Sequence, residues 1–224
     1  MHSIDLPSEI VERVVSRRGK LHPFESLDPK TTALVVVDMQ NAFGRPGSVL
    51  EIPYARGIVP KINTLAARVR DAGGVVVWVQ MSIPSADQWP IFLGDMVPYP
   101  VADQMLGELQ PGSEGHKLLP ELDVSPDDMI SPKDRFSAFL PSASNLSAEL
   151  RERGVDTVII AGTLTNVCCE SSARDAAMQN YKVVMVSDAN ACRSDAEHTA
   201  TLSAIIQFFG DVRTTEEVLE MLSA

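Results

Sequence analysis

The chain's 224 residues, 45% of them hydrophobic, suffice for one buried core that needs no disulfide or structural metal. No apolar run approaches the roughly 18 residues that a transmembrane helix requires, so no membrane span is expected. The net charge of −11 excludes nucleic acid and anionic membrane surfaces as expected partners, because both would repel such a surface.

Cysteine and histidine usage predicts a reducing compartment and no bound metal. The three cysteines, Cys168, Cys169 and Cys192, form an odd set with two neighbours, which makes a poor disulfide framework. The four histidines lack the spacing of a zinc site. Residues 1–18 contain no signal-peptide core. We therefore expect a cytoplasmic protein without metal or cofactor.

Residues 1–30 are predicted to form an N-terminal arm and residues 31–224 a single domain. In the arm, Ser8 is expected to cap a short amphipathic helix, before Pro23 and Pro29 interrupt the chain. From residue 33 onward, apolar strands alternate with amphipathic helices. The predicted strands are 33–39, 75–81, 128–130, 156–162, 182–189 and 211–213. The predicted helices are 58–74, 142–154, 166–181, 195–210 and 215–224.

Strands that are apolar along their whole length, with helices between them, are typical of a parallel sheet covered on both faces. We therefore predict an α/β fold of three layers, α/β/α, around a Rossmann-like parallel sheet of about six strands. The segment 83–127 is irregular and rich in Pro, Gly and Asp. Long insertions of this kind are often functional, and this one is expected to form a lid or a pocket wall.

Three reactive side chains follow predicted strands. Asp38 ends the first strand in VVVDMQNAF, Lys133 follows the short strand in PKDRFSAF, and Cys168 follows IIAG in GTLTNVCCESSARDAA. Ligands of open parallel sheets bind outside the carboxyl ends of the strands, so these groups should share one edge. Each also has an ordinary explanation: a turn or cap for Asp38, a solvated charge for Lys133, a small buried hydrophobe for Cys168.

The position of Cys168 at a helix start favours nucleophilic chemistry. Thr165 or Asn166 is expected to cap the helix, and the free N–H groups and helix dipole of its first turn would stabilise a thiolate. The same N–H groups would receive an oxyanion. Asp38 is the expected base, ordered by Lys133. Cys169 points elsewhere and is predicted to pack against the sheet.

These motifs resemble the isochorismatase-like cysteine hydrolase family, which includes nicotinamidases, N-carbamoylsarcosine amidohydrolases and ureidoacrylate amidohydrolases. The resemblance covers about residues 32–213 and rests on VVVDMQNAF, PKDRFSAF and GTLTNVCCESSARDAA followed by KVVMVSDA, in the family's order. The stretch around Cys168 resembles the ureidoacrylate and N-carbamoylsarcosine branch most.

The resemblance implies a catalytic triad of Asp38, Lys133 and Cys168. It implies a cis peptide bond between Thr163 and Leu164, with the backbone N–H groups of Leu164 and Cys168 forming the oxyanion hole. It also implies a homo-oligomer, either dimer or tetramer. The metal-binding histidines typical of nicotinamidases are absent from QMSIPSADQWPIF, which disfavours that activity. Isochorismatases that cleave a vinyl ether lack the cysteine, so Cys168 disfavours that chemistry.

The predicted function is hydrolysis of a C–N bond in a small amide, carbamoyl or ureido substrate through a covalent acyl-enzyme. Two alternatives stay open: vinyl-ether hydrolysis, and a non-catalytic binding protein of the same fold. The physiological substrate is not specified by these motifs. Candidate substrate-binding residues are Gln40, Asn41, Phe43, Trp78, Gln80, Phe136, Phe139, Thr165 and Asn166.

Overall fold

A computed structural model describes residue 2 and residues 5–223, and it contains a six-stranded parallel sheet. The strand order is β3-β2-β1-β4-β5-β6. Their bounds are β1 Thr32–Val37, β2 Val75–Met81, β3 Met129–Lys133, β4 Thr157–Thr163, β5 Lys182–Ala191 and β6 Asp211–Arg213. The predicted α/β class and the parallel sheet are confirmed.

Helices follow the strands along the chain, as the alternating pattern predicts. They are α1 Ser8–Arg18, α2 Asn41–Gly44, α3 Ala55–Asp71, α4 Val101–Leu109, α5 Leu146–Glu152, α6 Glu170–Met178, α7 Asp195–Ala204 and α8 Thr215–Met221. Two predicted helices are divided. A π-helical turn, Thr165–Cys169, precedes α6, and another, Ile205–Phe209, continues α7.

The central strands are hydrophobic along their length because helices cover both faces. Every residue of β1 and β4 is buried. The two strands pair through Val37 and Gly162 at their carboxyl ends. Gly162 has φ 118°, and a Cβ built there would lie 2.1 Å from the Val37 carbonyl oxygen. Only glycine fits this position, where β4 approaches the backbone of β1 most closely.

The N-terminal arm packs along the far edge of the sheet. Val14 of α1 is fully buried, and the Leu27 N–H donates to the Met221 carbonyl at 3.0 Å. The His22 ring lies 2.7 Å from the Asp211 carboxylate on β6. The expected cap at Ser8 is wrong, because Ser8 is the first helical residue and Pro7 occupies the cap position without a side-chain bond.

The insertion predicted to be irregular contains helical segments that periodicity did not indicate. A 3₁₀ turn, Ala86–Gln88, leads into a π-helical segment, Ile91–Met96, and then α4. The Tyr99–Pro100 peptide bond between the last two is cis. Across the described part of the chain, no helix has the length and apolar character needed to span a bilayer.

Candidate active site

The sheet order places three reactive groups at one edge. Asp38 directly follows β1, Lys133 ends β3, and Cys168 lies in the turn after β4. In the sheet, β1 has β2 and β4 as neighbours, and β3 lies beyond β2. The three residues therefore lie at the carboxyl ends of strands that are adjacent or nearly adjacent. The structure therefore brings Asp38, Lys133 and Cys168 together, as their positions in the sequence predict.

Asp38 and Lys133 form a buried ion pair. The Lys133 Nζ donates to Asp38 Oδ2 at 2.8 Å and to the Arg135 carbonyl oxygen at 3.1 Å. Their side chains are 1% and 0% exposed, so water cannot replace either partner. Asp38 has φ 51°, a left-handed conformation that is uncommon outside glycine, and its N–H donates to the Val79 carbonyl at 3.0 Å.

Burial and charge act against each other on this pair. Burial raises the pKa of Asp38, and the opposing attraction of Lys133 does not fully cancel that effect. Burial would lower the pKa of Lys133, but the Asp38 carboxylate and the Cys168 sulfur outweigh it, so the pKa of Lys133 is raised. The ammonium therefore persists at neutral pH.

The Cys168 thiol interacts with both members of the pair. Its neighbour Asp38 Oδ1 is buried and receives no well-aligned hydrogen bond from any described group, which leaves that oxygen free to accept the thiol proton. Burial raises the pKa of Cys168 far above its ordinary value, and the Lys133 ammonium offsets only part of that rise. Desolvation exceeds the stabilisation that a helix start gives a thiolate, so the resting group is a thiol and Asp38 is the expected acceptor of its proton.

The turn that carries Cys168 begins with a cis peptide bond. The bond joins Thr163 to Leu164, where the family resemblance places it. The Cys169 N–H donates to the Leu164 carbonyl at 3.0 Å, which closes the turn. Neither Thr165 nor Asn166 caps α6, because the π-helical turn runs into that helix and no side-chain cap bond forms. The oxyanion role of the Leu164 and Cys168 N–H groups stays a prediction.

A cavity of about 260 Å³ opens beside Cys168. The amino-terminal half of the chain contributes Phe43, Leu50, Met81, Ile83, Trp89 and Phe92. The remaining lining residues are Met105, Leu109, Phe136, Leu164, Val167 and Arg193. A larger and more open groove of about 620 Å³, which includes Arg45 and Glu108, does not touch Cys168. The cavity beside Cys168 is therefore the candidate substrate pocket.

Of the nine substrate-binding candidates, Phe43 and Phe136 line this cavity. The other seven do not, and each has a structural role. Gln40 and Gln80 donate to the His116 carbonyl at 2.9 and 2.8 Å. Asn41 donates to the Glu114 carbonyl at 3.0 Å. The rest form core or network contacts: Trp78 with Asp128, Phe139 with Tyr181, Thr165 with His198, and Asn166 with Glu197.

Sequence reasoning missed Arg193 and the aromatic residues of the insertion. Arg193 is the one charged residue among those lining the pocket. It follows Ala191, the last residue of β5, so the rule that selected Asp38 and Lys133 would also have selected it. Trp89 and Phe92 lie in the insertion, and their direction depends on the helical turns that periodicity did not reveal.

A second polar cluster lies behind the nucleophile turn. The potential ligand atoms of His2, Cys192 and His198 lie within 4.8 Å of one another, and this is the one group among the described residues that could hold a metal ion. Its atoms already have protein partners. His198 contacts the Thr165 hydroxyl at 3.0 Å and the Ser187 carbonyl at 2.9 Å. A metal would have to displace these hydrogen bonds.

Comparison with known proteins identifies the family. The isochorismatase domain model matches residues 32–217 of the chain. The chain belongs to the isochorismatase family. The match spans all six strands and the three reactive groups at their ends. As an isochorismatase-family member the protein is a hydrolase.

Relatives within the isochorismatase family include enzymes of amide chemistry. The chain is 33% identical over 214 residues to a ureidoacrylate amidohydrolase of Methylobacterium radiotolerans, covering 87% of this chain and 81% of that one. A cysteine hydrolase from Pseudomonas syringae has a similar structure, with TM-score 0.76, 31% identity, and 88% and 95% of the two chains covered. An N-carbamoylsarcosine amidase from Thermoplasma acidophilum gives TM-score 0.67, 28% identity, and 83% and 97% coverage.

Proposed function

We propose that this protein is a cysteine-dependent amidohydrolase that cleaves a C–N bond in a small amide, carbamoyl or ureido compound through an acyl-enzyme. The observation that carries the proposal is the buried interaction of Cys168 with the Asp38–Lys133 pair at the wall of a largely apolar cavity. A buried ion pair is expensive to maintain for stability alone, which favours a chemical role for it. The amide chemistry of the relatives agrees with this assignment.

The first half of the reaction forms a thioester. Asp38 takes the thiol proton as the Cys168 sulfur attacks the substrate carbonyl carbon, so the C=O π electrons move to oxygen. The backbone N–H groups of Leu164 and Cys168 stabilise the resulting oxyanion. Protonated Asp38 then gives its proton to the departing nitrogen, the C–N bond breaks, and the amine or ammonia leaves.

The second half regenerates the thiol. Asp38 removes a proton from water, and the hydroxyl oxygen attacks the thioester carbon. Collapse of this intermediate breaks the C–S bond and releases the acid, while the sulfur recovers its proton from Asp38. Lys133 stays charged throughout and balances Asp38 when that group is ionised. The raised pKa of Asp38 makes this carboxylate a stronger base than an exposed aspartate.

Arg193 supplies the pocket's means of binding an anion. Arg193 is an exposed residue that lines the pocket together with apolar side chains, so its guanidinium would bind a substrate carboxylate at the solvent side of the pocket. A substrate with both a carboxylate and an amide-type carbonyl would thus be held between Arg193 and Cys168.

The test is ammonia release from a panel of small amides, ureido acids and N-carbamoyl amino acids, measured for wild type and variants. We expect Cys168→Ala to abolish turnover of any substrate found. Asp38→Asn should lower kcat by at least about 100-fold, because the base is lost.

Cys169→Ala is the matched control, since Cys169 is buried in the same turn but does not line the cavity. It should retain turnover. Full activity in Cys168→Ala, with loss in Cys169→Ala, would contradict the assignment of the nucleophile.

A further inference from the structure

One wall of the pocket is an aromatic cluster. Trp89, Phe92 and Phe136 contact one another, with ring centroids 4.5 Å apart for Trp89–Phe92, 4.7 Å for Trp89–Phe136 and 5.2 Å for Phe92–Phe136. The Arg135 guanidinium lies 5.1 Å above the Trp89 ring and donates to the Gln88 carbonyl at 2.6 Å. The wall is therefore held in place before any ligand enters, so ligand binding spends little free energy on ordering it.

The pocket offers few polar partners away from its reactive end. Among the described residues, every side chain that lines it, apart from Cys168 and Arg193, is aliphatic, aromatic or methionine. An amide or ureido group placed against the aromatic wall would lose its water and gain no hydrogen bond, which is unfavourable. The wall therefore suits a substituent that has no polar atoms.

The pocket is large enough for a ring. Apolar cavities of about 150 Å³ hold a benzene molecule. The volume of about 260 Å³ accommodates a ring-sized or branched group together with the amide carbon beside Cys168. A small polar substrate would leave much of this apolar surface without contacts.

We propose that the pocket selects amide or carbamoyl compounds that carry a ring-sized or branched apolar group, which packs against Trp89, Phe92 and Phe136. This inference rests on the proposed amidohydrolase function and narrows its substrate class. An enzyme that acts on a short, wholly polar ureido acid would have a different substrate preference, even with the same reactive groups.

The test compares two substrates that differ by one phenyl group, N-carbamoylphenylglycine and N-carbamoylglycine. Both carry a carbamoyl group for Cys168 and a carboxylate for Arg193. We expect kcat/KM of the wild type to be at least tenfold higher for the phenyl compound, because apolar groups in a fitting pocket give discrimination of that order. Trp89→Ala should reduce this ratio at least fivefold. Phe208→Ala, which alters an exposed aromatic residue outside the pocket, should leave the ratio unchanged.

Failure of this inference is distinguishable from failure of the proposed function. Turnover of both compounds with equal or reversed preference would overturn the inference while hydrolysis stands. If neither compound is hydrolysed, calorimetric binding to the wild type decides. Tighter binding of the phenyl compound, weakened in Trp89→Ala, would support the apolar pocket and count against these compounds as substrates. Equal binding, or no binding of either compound, would overturn the inference.

Discussion

At the scale of single residues, the site contains two opposite charges that are kept away from water. Asp38 and Lys133 are each other's main electrostatic partner, and neither side chain is more than 1% exposed. Removing one member of such a pair leaves an uncompensated buried charge, whereas removing both does not. Because of this difference, the stabilising interaction between the two groups can be measured separately from their role in the reaction.

Lys133→Met should lower the free energy of unfolding by about 3–5 kcal/mol, because the Asp38 carboxylate loses its cation. The double variant Asp38→Asn/Lys133→Met should be less destabilised than Lys133→Met alone. Urea denaturation of the wild type, both single variants and the double variant measures this coupling. Strictly additive effects would show that the two groups do not stabilise each other.

His198 gives the stability of the protein a dependence on pH. Burial lowers the pKa of His198 to about 4, with nearby His2 adding to the effect. Between pH 6.5 and 4 the unfolded chain binds a proton at this residue and the folded protein does not. The contribution of neutral His198 to the free energy of unfolding is therefore complete above pH 6.5 and decreases as the pH falls toward 4.

In the wild type, His198 should lower the free energy of unfolding by about 3 kcal/mol between pH 7 and pH 4. The variant His198→Gln should lack this part of the decrease. Chemical denaturation at a series of pH values checks this expectation. Parallel stability profiles for the two proteins across this interval would contradict it.

Sequence reasoning placed the three reactive residues because strand ends have a fixed relation to the sheet edge. Asp38 and Cys168 follow strongly apolar runs, and Lys133 follows a weaker one. It failed for Trp78 and Gln80 because alternate residues of one strand face opposite sides, and strand sequence alone did not say which side faces the pocket. The raised pKa of the Cys168 thiol could not be predicted from the sequence, since the depth of burial depends on tertiary packing.

At the scale of elements, the close approach of β4 to β1 sets the start of the nucleophile turn. Gly162 immediately precedes Thr163, the residue whose peptide bond to Leu164 is cis. Any side chain at Gly162 would collide with the Val37 backbone. The backbone of β4 would then move away from β1, and the turn carrying Cys168 would move with it.

Gly162→Ala should lower the free energy of unfolding by more than about 2 kcal/mol and reduce activity, because both its φ of 118° and the 2.1 Å approach exclude a Cβ. Gly57→Ala is the control. Gly57 lies in α3 with no atom within 4 Å of a built Cβ, so alanine should leave stability unchanged or raise it by about 0.5–1 kcal/mol. Equal effects of the two substitutions in thermal unfolding would refute this reading of the β1–β4 contact.

The elements differed in how well their sequences predicted them. The strands 75–81 and 211–213 have the predicted bounds. The first is a run of mostly β-branched residues that begins after two glycines, whereas the second contains one β-branched residue, Val212. The helices of the insertion were not predicted. Ile91–Met96 is a π-helical segment whose hydrogen-bond spacing does not follow the 3.6-residue period, and α4 is short. Tertiary contacts rather than local pattern stabilise such segments.

At the scale of the whole molecule, the N-terminal arm makes contacts that join it to the rest of the fold. The Arg213 guanidinium on β6 donates to the Phe24 carbonyl at 2.9 Å, and Val14 of α1 is buried completely. These contacts predict that arm and sheet unfold together. The predicted homo-oligomer stays a prediction.

Val14→Ala should lower the free energy of unfolding by about 2 kcal/mol while unfolding stays a single transition. The adjacent Val15 is 39% exposed, and Val15→Ala should change stability by less than about 0.5 kcal/mol. Differential scanning calorimetry tests both. A separate early transition for the arm would show that it folds independently of the sheet.

In the proposed reaction, the Cys168 sulfur bonds covalently to the substrate's carbonyl carbon. The most direct measurement is intact-protein mass spectrometry of acid-quenched turnover mixtures, followed by peptide mapping. We predict a mass increase equal to the acyl group on the peptide containing Cys168, absent in Cys168→Ala and present in Cys169→Ala. Rapid substrate hydrolysis with no adduct at any quench time, or an adduct confined to Cys169, would contradict the account.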